Sequence, residues 1–75
     1  MDGQYVNSSN LRWVGWEKYP DSEEIGRLQI AFESGRIYEY ENVPDSVYKG
    51  FFEVADVGVY FNTEVKGVYG YERLQ

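Results

Sequence analysis

The chain contains neither cysteine nor histidine. Without cysteine there is no disulfide, no thiol nucleophile and no thiolate metal site, and a cytoplasmic setting is the expectation. Without histidine the commonest general base and metal ligand is missing. Ser8 and Ser9 therefore have no partner for nucleophilic catalysis. The glycines do not assemble into a Gly-x-x-x-x-Gly-Lys-Ser/Thr phosphate loop. No apolar run approaches the ~20 residues of a membrane span. Met1-Asp2-Gly3-Gln4 has neither the basic region nor the apolar core of a signal peptide. These absences lead to the expectation of a non-catalytic protein with no cofactor, no resident metal and no membrane contact.

Positive charge is also scarce. Seven basic residues face thirteen acidic ones, a net charge of −6. That balance opposes non-specific nucleic-acid binding, which depends on Lys and Arg neutralising phosphates. The deficit is uneven. Residues 1–43 hold eight acids against four bases, whereas residues 57–75 are neutral, with Glu64 and Glu72 against Lys66 and Arg73. Glu17, Asp21, Glu23 and Glu24 crowd around one turn. Their spacing fits no calcium loop, and a solvated face is the expected reading.

What the chain has in abundance is aromatic surface: eight tyrosines, four phenylalanines and two tryptophans in 75 residues. A single domain this short buries only about 60% of its unfolded surface. Most of these rings are therefore needed for the core.

The segment from Leu28 to Pro44 carries most of the structural information. Leu28, Ile30 and Phe32 alternate with polar or small residues, as a strand with one buried face does. Ser34-Gly35 marks a turn. A two-residue loop would set Glu39 and Glu41 against the apolar face. A three-residue loop, Ser34-Gly35-Arg36, pairs Phe32 with Tyr38 and Ile30 with Tyr40, so apolar residues of both strands share a face. Glu33, Glu39 and Glu41 then form a wet, negative opposite face, which could mimic nucleic acid.

Upstream, residues 1–7 read as a flexible tail and Leu11–Tyr19 as a first strand. Trp13 and Trp16, three apart, cannot both face inward unless Gly15 introduces a bulge. Downstream, Val47, Phe51 and Ala55 give a helical stripe over 45–55. Asp45 complements the dipole and Pro44 suits the first turn. Gly50 lowers helix propensity by about 1 kcal/mol, so either packing compensates or a neighbour comes close there. Residues 59–66 form a second helical candidate, with Phe61 and Val65 four apart. Tyr69 and Tyr71 alternate at a possible last strand. The expected fold is α+β: a small antiparallel sheet of three or four strands on one helix plus a second short helix. Leu28, Ile30, Phe32, Tyr38, Tyr40, Val47, Phe51 and Phe61 are the expected core.

An ordered set of pieces resembles the KTSC domain family. These are Ser8-Ser9-Asn10, Leu28-x-Ile30-x-Phe32-x-Ser34-Gly35, Tyr38-x-Tyr40, Val43-Pro44, Tyr48, Ala55, Gly58, Tyr60-Phe61-Asn62, Val65-Lys66 and Tyr69-x-Tyr71. The resemblance spans about Ser8 to Leu74. The family consists of small modules found at the C-terminus of some lysyl-tRNA synthetases and as stand-alone bacterial and phage proteins. It implies a binding role, with RNA as the suggested ligand. This chain departs where the family tends to read Ser-Lys-Gly. It has Asp56-Val57-Gly58, and Thr63-Glu64 stands where bases are often seen.

The candidate binding residues are Trp16, Tyr38, Tyr40, Tyr60, Asn62, Lys66, Tyr69, Tyr71 and Arg73. Tyr38 and Tyr40 could stack bases, or lie under the helix as core. The last six mix aromatic, amide and basic groups. A protein is the expected partner, single-stranded nucleic acid the alternative. The chain is expected to be a monomer or an edge-paired homodimer.

Overall fold

The computed structural model describes residues 1–75. Five antiparallel strands form a meander in sequence order: β1 (Asp2–Tyr5), β2 (Leu11–Lys18), β3 (Ile25–Phe32), β4 (Ile37–Pro44) and β5 (Tyr71–Arg73). Helices α1 (Asp45–Gly50) and α2 (Val57–Glu64) lie between β4 and β5 in the chain and pack on one face of the sheet. The α+β class is as expected, but the sheet has five strands rather than three or four. No helix is long and apolar enough to cross a membrane.

The extra strand is β1, in the segment read as a tail. Its four residues are all exposed, so no hydrophobic alternation announces it. What places it is Trp13. Gly3 pairs with Gly15, and the Trp13 indole lies over both. A Cβ would come within 1.9 Å of it at Gly3 and 2.1 Å at Gly15. Two missing side chains make room for one large ring.

The β3–β4 hairpin keeps the expected face but not the expected pairing. Ile30 pairs with Tyr38 and Leu28 with Tyr40, a slip of two residues. The loop is three residues long, as expected, but it is Glu33-Ser34-Gly35. The Gly35 N–H donates to the Phe32 carbonyl and the Phe32 N–H to the Arg36 carbonyl, both at 2.9 Å. Gly35 sits at φ 96°, the left-handed position that closes such a loop. Because side chains repeat every two residues, this slip leaves each on the same face. At the other end β4 holds an extra residue. Glu41 and Asn42 lie between the pairs Gly26–Val43 and Leu28–Tyr40, and Asn42 takes φ 58°.

Leu11, Val14, Leu28, Ile30, Tyr40 and Val43 of the sheet meet Phe51, Val57, Phe61 and Val65 in one buried cluster. Each fully buried large apolar side chain contributes about 1.5–3 kcal/mol. Phe32, Tyr38 and Val47, expected in the core, are half-buried against it. Trp16 is the inward tryptophan. It stacks on Tyr48 at 6.1 Å and donates its indole N–H to the Val43 carbonyl at 3.0 Å. Trp13 is the outward one. The outer face is therefore not simply wet and negative: Tyr5, Trp13, Ala31 and Ile37 form an apolar row across it. Glu39 on the same face accepts a hydrogen bond from Gln29 at 3.0 Å, and Glu33 belongs to the loop.

Both helices differ from the periodicity estimate. α1 ends at Gly50 rather than 55, because the chain tightens there. The N–H groups of Phe51, Phe52 and Glu53 donate three residues back, at 3.0–3.2 Å. α2 starts two residues early because Asp56 caps it, accepting from the Val59 N–H at 3.0 Å.

Candidate functional site

The hairpin end, the Ser8-Ser9-Asn10 turn and the second helix converge on one cleft of about 210 Å³. Phe32, Tyr38 and Tyr40 enter from the sheet because β3 and β4 turn their alternate residues to the helix side. Phe61 enters from α2. The rings meet mostly edge to face: Phe32 with Tyr38 at 5.6 Å, Phe32 with Phe61 at 5.5 Å, Tyr40 with Phe61 at 5.8 Å. Tyr71 of β5 extends this floor sideways, stacked on Tyr38 at 5.3 Å and 18°. It is 61% exposed.

Asn10, Ser34, Arg36, Asn62 and Lys66 make the rim. Arg36 stands directly after the hairpin loop and Lys66 directly after the α2 C-cap Val65. Neither takes part in an ion pair; those of the chain are Met1–Glu17, Arg27–Glu17 and Asp45–Lys49. Asn10 uses its amide oxygen to accept from Ser8 at 3.1 Å. Its amide N–H groups and the whole Asn62 amide stay free of intrachain bonds. No carboxylate lines the cleft.

Among the tyrosines, Tyr40 is the most perturbed. Burial, then the neighbouring Tyr38 and Tyr71 hydroxyls, push its pKa up to about 12. Burial also raises Tyr60 and Tyr48, helped by Glu64 and Glu53 at the first and by Asp2 at the second. All three are neutral hydrogen-bonding groups at physiological pH, not general bases. No group of three acidic side chains converges to hold a metal ion. Of the acidic turn, Glu17 is engaged with Arg27 at 3.2 Å.

The candidate residues fall into separate places. Tyr38, Tyr40, Asn62 and Lys66 share the cleft, with Tyr71 at its flank. Arg73 pairs with Tyr38 across β4–β5 and donates its Nε–H to the Gln75 carbonyl at 3.3 Å. Tyr69 is half-buried against the core. Tyr60 is a strut between helices, its hydroxyl donating to the Val47 carbonyl at 2.8 Å. Trp16 is half-buried against the core, stacked on Tyr48 and hydrogen-bonded to the Val43 carbonyl. Asn10, Phe32, Ser34, Arg36 and Phe61 were not among the candidates. They come from segments far apart in the chain, and only the shared face of Phe32, Tyr38 and Tyr40 hinted at the grouping. A second depression, about 380 Å³ and more open, lies on the outer face beside Tyr5, Trp13 and Ile37.

Known proteins share this fold. The crystal structure of a KTSC domain protein from Yersinia pestis superposes with a TM-score of 0.82 at 28% identity, covering 99% of this chain and 97% of that one. An uncharacterised protein of Stutzerimonas stutzeri is 36% identical over 61 residues, 81% of this chain and 79% of its own length. A lysine–tRNA ligase of Nostoc punctiforme is 40% identical over 58 residues. The match takes in 77% of this chain but only a tenth of the ligase. The family model of the KTSC domain matches residues 7–69, and the chain belongs to that family.

Proposed function

We propose that this domain is a non-catalytic binding module. Its ligand surface is the aromatic cleft between the β3–β4 hairpin and α2, and its ligand is a segment of a partner protein. One observation carries the reading. In a chain of net charge −6, the cleft is lined by two of the seven bases and by no acid. Apolar floor, two unpaired cations and free amides are the composition of a small recognition site. The volume, about 210 Å³, suits one anchoring side chain rather than a whole cofactor.

Selection of random displayed peptides on the wild-type domain tests this, with Lys66→Glu and Tyr71→Ala as counter-screens. Both side chains are exposed, so folding is expected to survive. Peptides that bind the wild type and fail on either variant support the reading. Enrichment indifferent to both variants overturns it.

A second reading is single-stranded nucleic acid. The Tyr71 ring, 61% exposed and stacked on Tyr38, favours it, because base stacking on rings is sequence-tolerant. The net charge opposes it, and so does the loss of one Tyr38 ring face to Tyr71. Binding of an RNA pool that fades steeply with salt, and is lost in Lys66→Ala, would establish it over the first.

A further inference from the structure

We infer that the cleft takes the C-terminal residue of a partner polypeptide: the terminal carboxylate between Arg36 and Lys66, the last side chain on the Phe32–Tyr38–Phe61 floor. This rests on the binding-module reading and names its ligand.

Arg36 and Lys66 reach the cleft from different elements, one on the hairpin and one beyond α2, and neither is neutralised by an acid. An anion is the complement. The free amide groups of Asn10 and Asn62 on the same rim add hydrogen-bond donors suited to a carboxylate.

The surroundings then decide which anion. The −6 field of the chain opposes a ligand in proportion to its charge, so a polyanionic strand is repelled at every phosphate and a single carboxylate only once. Lys66 lies just past the C-cap of α2, where the helix dipole is negative. No helix N-terminus or glycine-rich loop lines the cleft, so the backbone N–H cradle that commonly holds phosphate is missing. This setting favours a monoanion over a dianion.

Size decides the rest. The floor is apolar and aromatic, the cations sit at its rim, and the whole is about 210 Å³. A ligand must carry an apolar body and a carboxylate only a few bonds apart. The side chains of Asp and Glu lack the apolar body. A chain terminus with an apolar last residue has both, and capture of a terminal carboxylate is a recurring mode of peptide recognition.

The test is an NMR titration of the nitrogen-labelled domain with N-acetylated short peptides ending in Phe, Tyr, Leu or Val. Each is offered as the free acid and as the C-terminal amide, with AMP as a phosphate probe. The expected result is movement of the Asn10, Arg36, Asn62 and Lys66 signals by the acids. The amides should bind about tenfold or more weakly, as for one lost charge-assisted contact. Lys66→Gln and Arg36→Gln should erase the difference between acid and amide. Equal binding of acid and amide in the cleft would overturn the carboxylate assignment and leave the binding module standing. Movement of the same signals by AMP and by no peptide would overturn both. No movement by any probe would overturn the carboxylate assignment, and the display selection would then decide the module reading by itself.

Discussion

The Tyr60 hydroxyl crosses directly over Gly50. A Cβ at position 50 would lie 1.9 Å from the Tyr60 oxygen, the oxygen that donates to the Val47 carbonyl at 2.8 Å. The glycine that weakens α1 as an isolated helix is thus the opening through which α2 ties to it.

Gly50→Ala is therefore expected to destabilise, although alanine is the better helix former. The clash costs about 1–3 kcal/mol against roughly 1 kcal/mol gained in propensity. Tyr60→Phe should lose about 1 kcal/mol with its hydrogen bond. The double variant should cost less than the sum, since removing the hydroxyl relieves part of the clash. Urea unfolding of the four proteins checks this. A stabilised Gly50→Ala would contradict the packing.

Stability should also fall in strong alkali. Tyr40 ionises near its usual value when unfolded, but only at about 12 when folded. A raised folded pKa gives stability that is complete below pH 10 and drains away as pH climbs from 10 to 12. Tyr60 and Tyr48 shift in the same direction. Melting temperature should drop through that window, and the drop should be shallower in Tyr40→Phe. An unchanged slope in that variant would remove Tyr40 from the account.

On the outer face, Gly15→Ala should lift the Trp13 ring off the sheet. The added methyl would sit 2.1 Å from it. The expected cost is about 1–3 kcal/mol, with loosening of β1, whose Gly3 shares the same ring. Hydrogen exchange of the β1 amides reads this directly. The Trp16 indole proton, held by Val43, should remain slow to exchange in the same sample.

Asn42 at φ 58° predicts an asymmetry between two substitutions. Asn42→Gly should be nearly neutral, because glycine accepts the left-handed region. Asn42→Val should cost about 1–2 kcal/mol or more. Its backbone N–H, bonded to the Tyr19 hydroxyl at 3.1 Å, is retained in both. Thermal melts separate the two.

These particulars show where the sequence was legible. The apolar alternation of Leu28, Ile30 and Phe32 named the buried face of the hairpin, since a two-residue period survives a two-residue slip. It did not name the pairing, because that depended on Gly35 closing the loop at its last position. β1 was invisible: its stabilising partner is a ring on β2, not a pattern of its own. The α1 end was overestimated because Phe51 continues the stripe while its backbone has already tightened. Tyr38, Tyr40, Asn62 and Lys66 could be found from residue type. Asn10 and Arg36 could not, since only the third dimension brings the turn before β2 and the residue after the hairpin loop to the same rim.

The central claim is that the cleft under Arg36 and Lys66 is where this domain meets its ligand. The most direct measurement is a chemical-shift titration of the labelled domain with two pools, random peptides and single-stranded RNA, each at low and moderate salt. The account predicts peptide-induced shifts at Asn10, Arg36, Asn62 and Lys66 that persist at moderate salt, and RNA-induced shifts that are absent or vanish with it. Shifts confined to Tyr5, Trp13 and Ile37 on the outer face, or none from either pool, would contradict it.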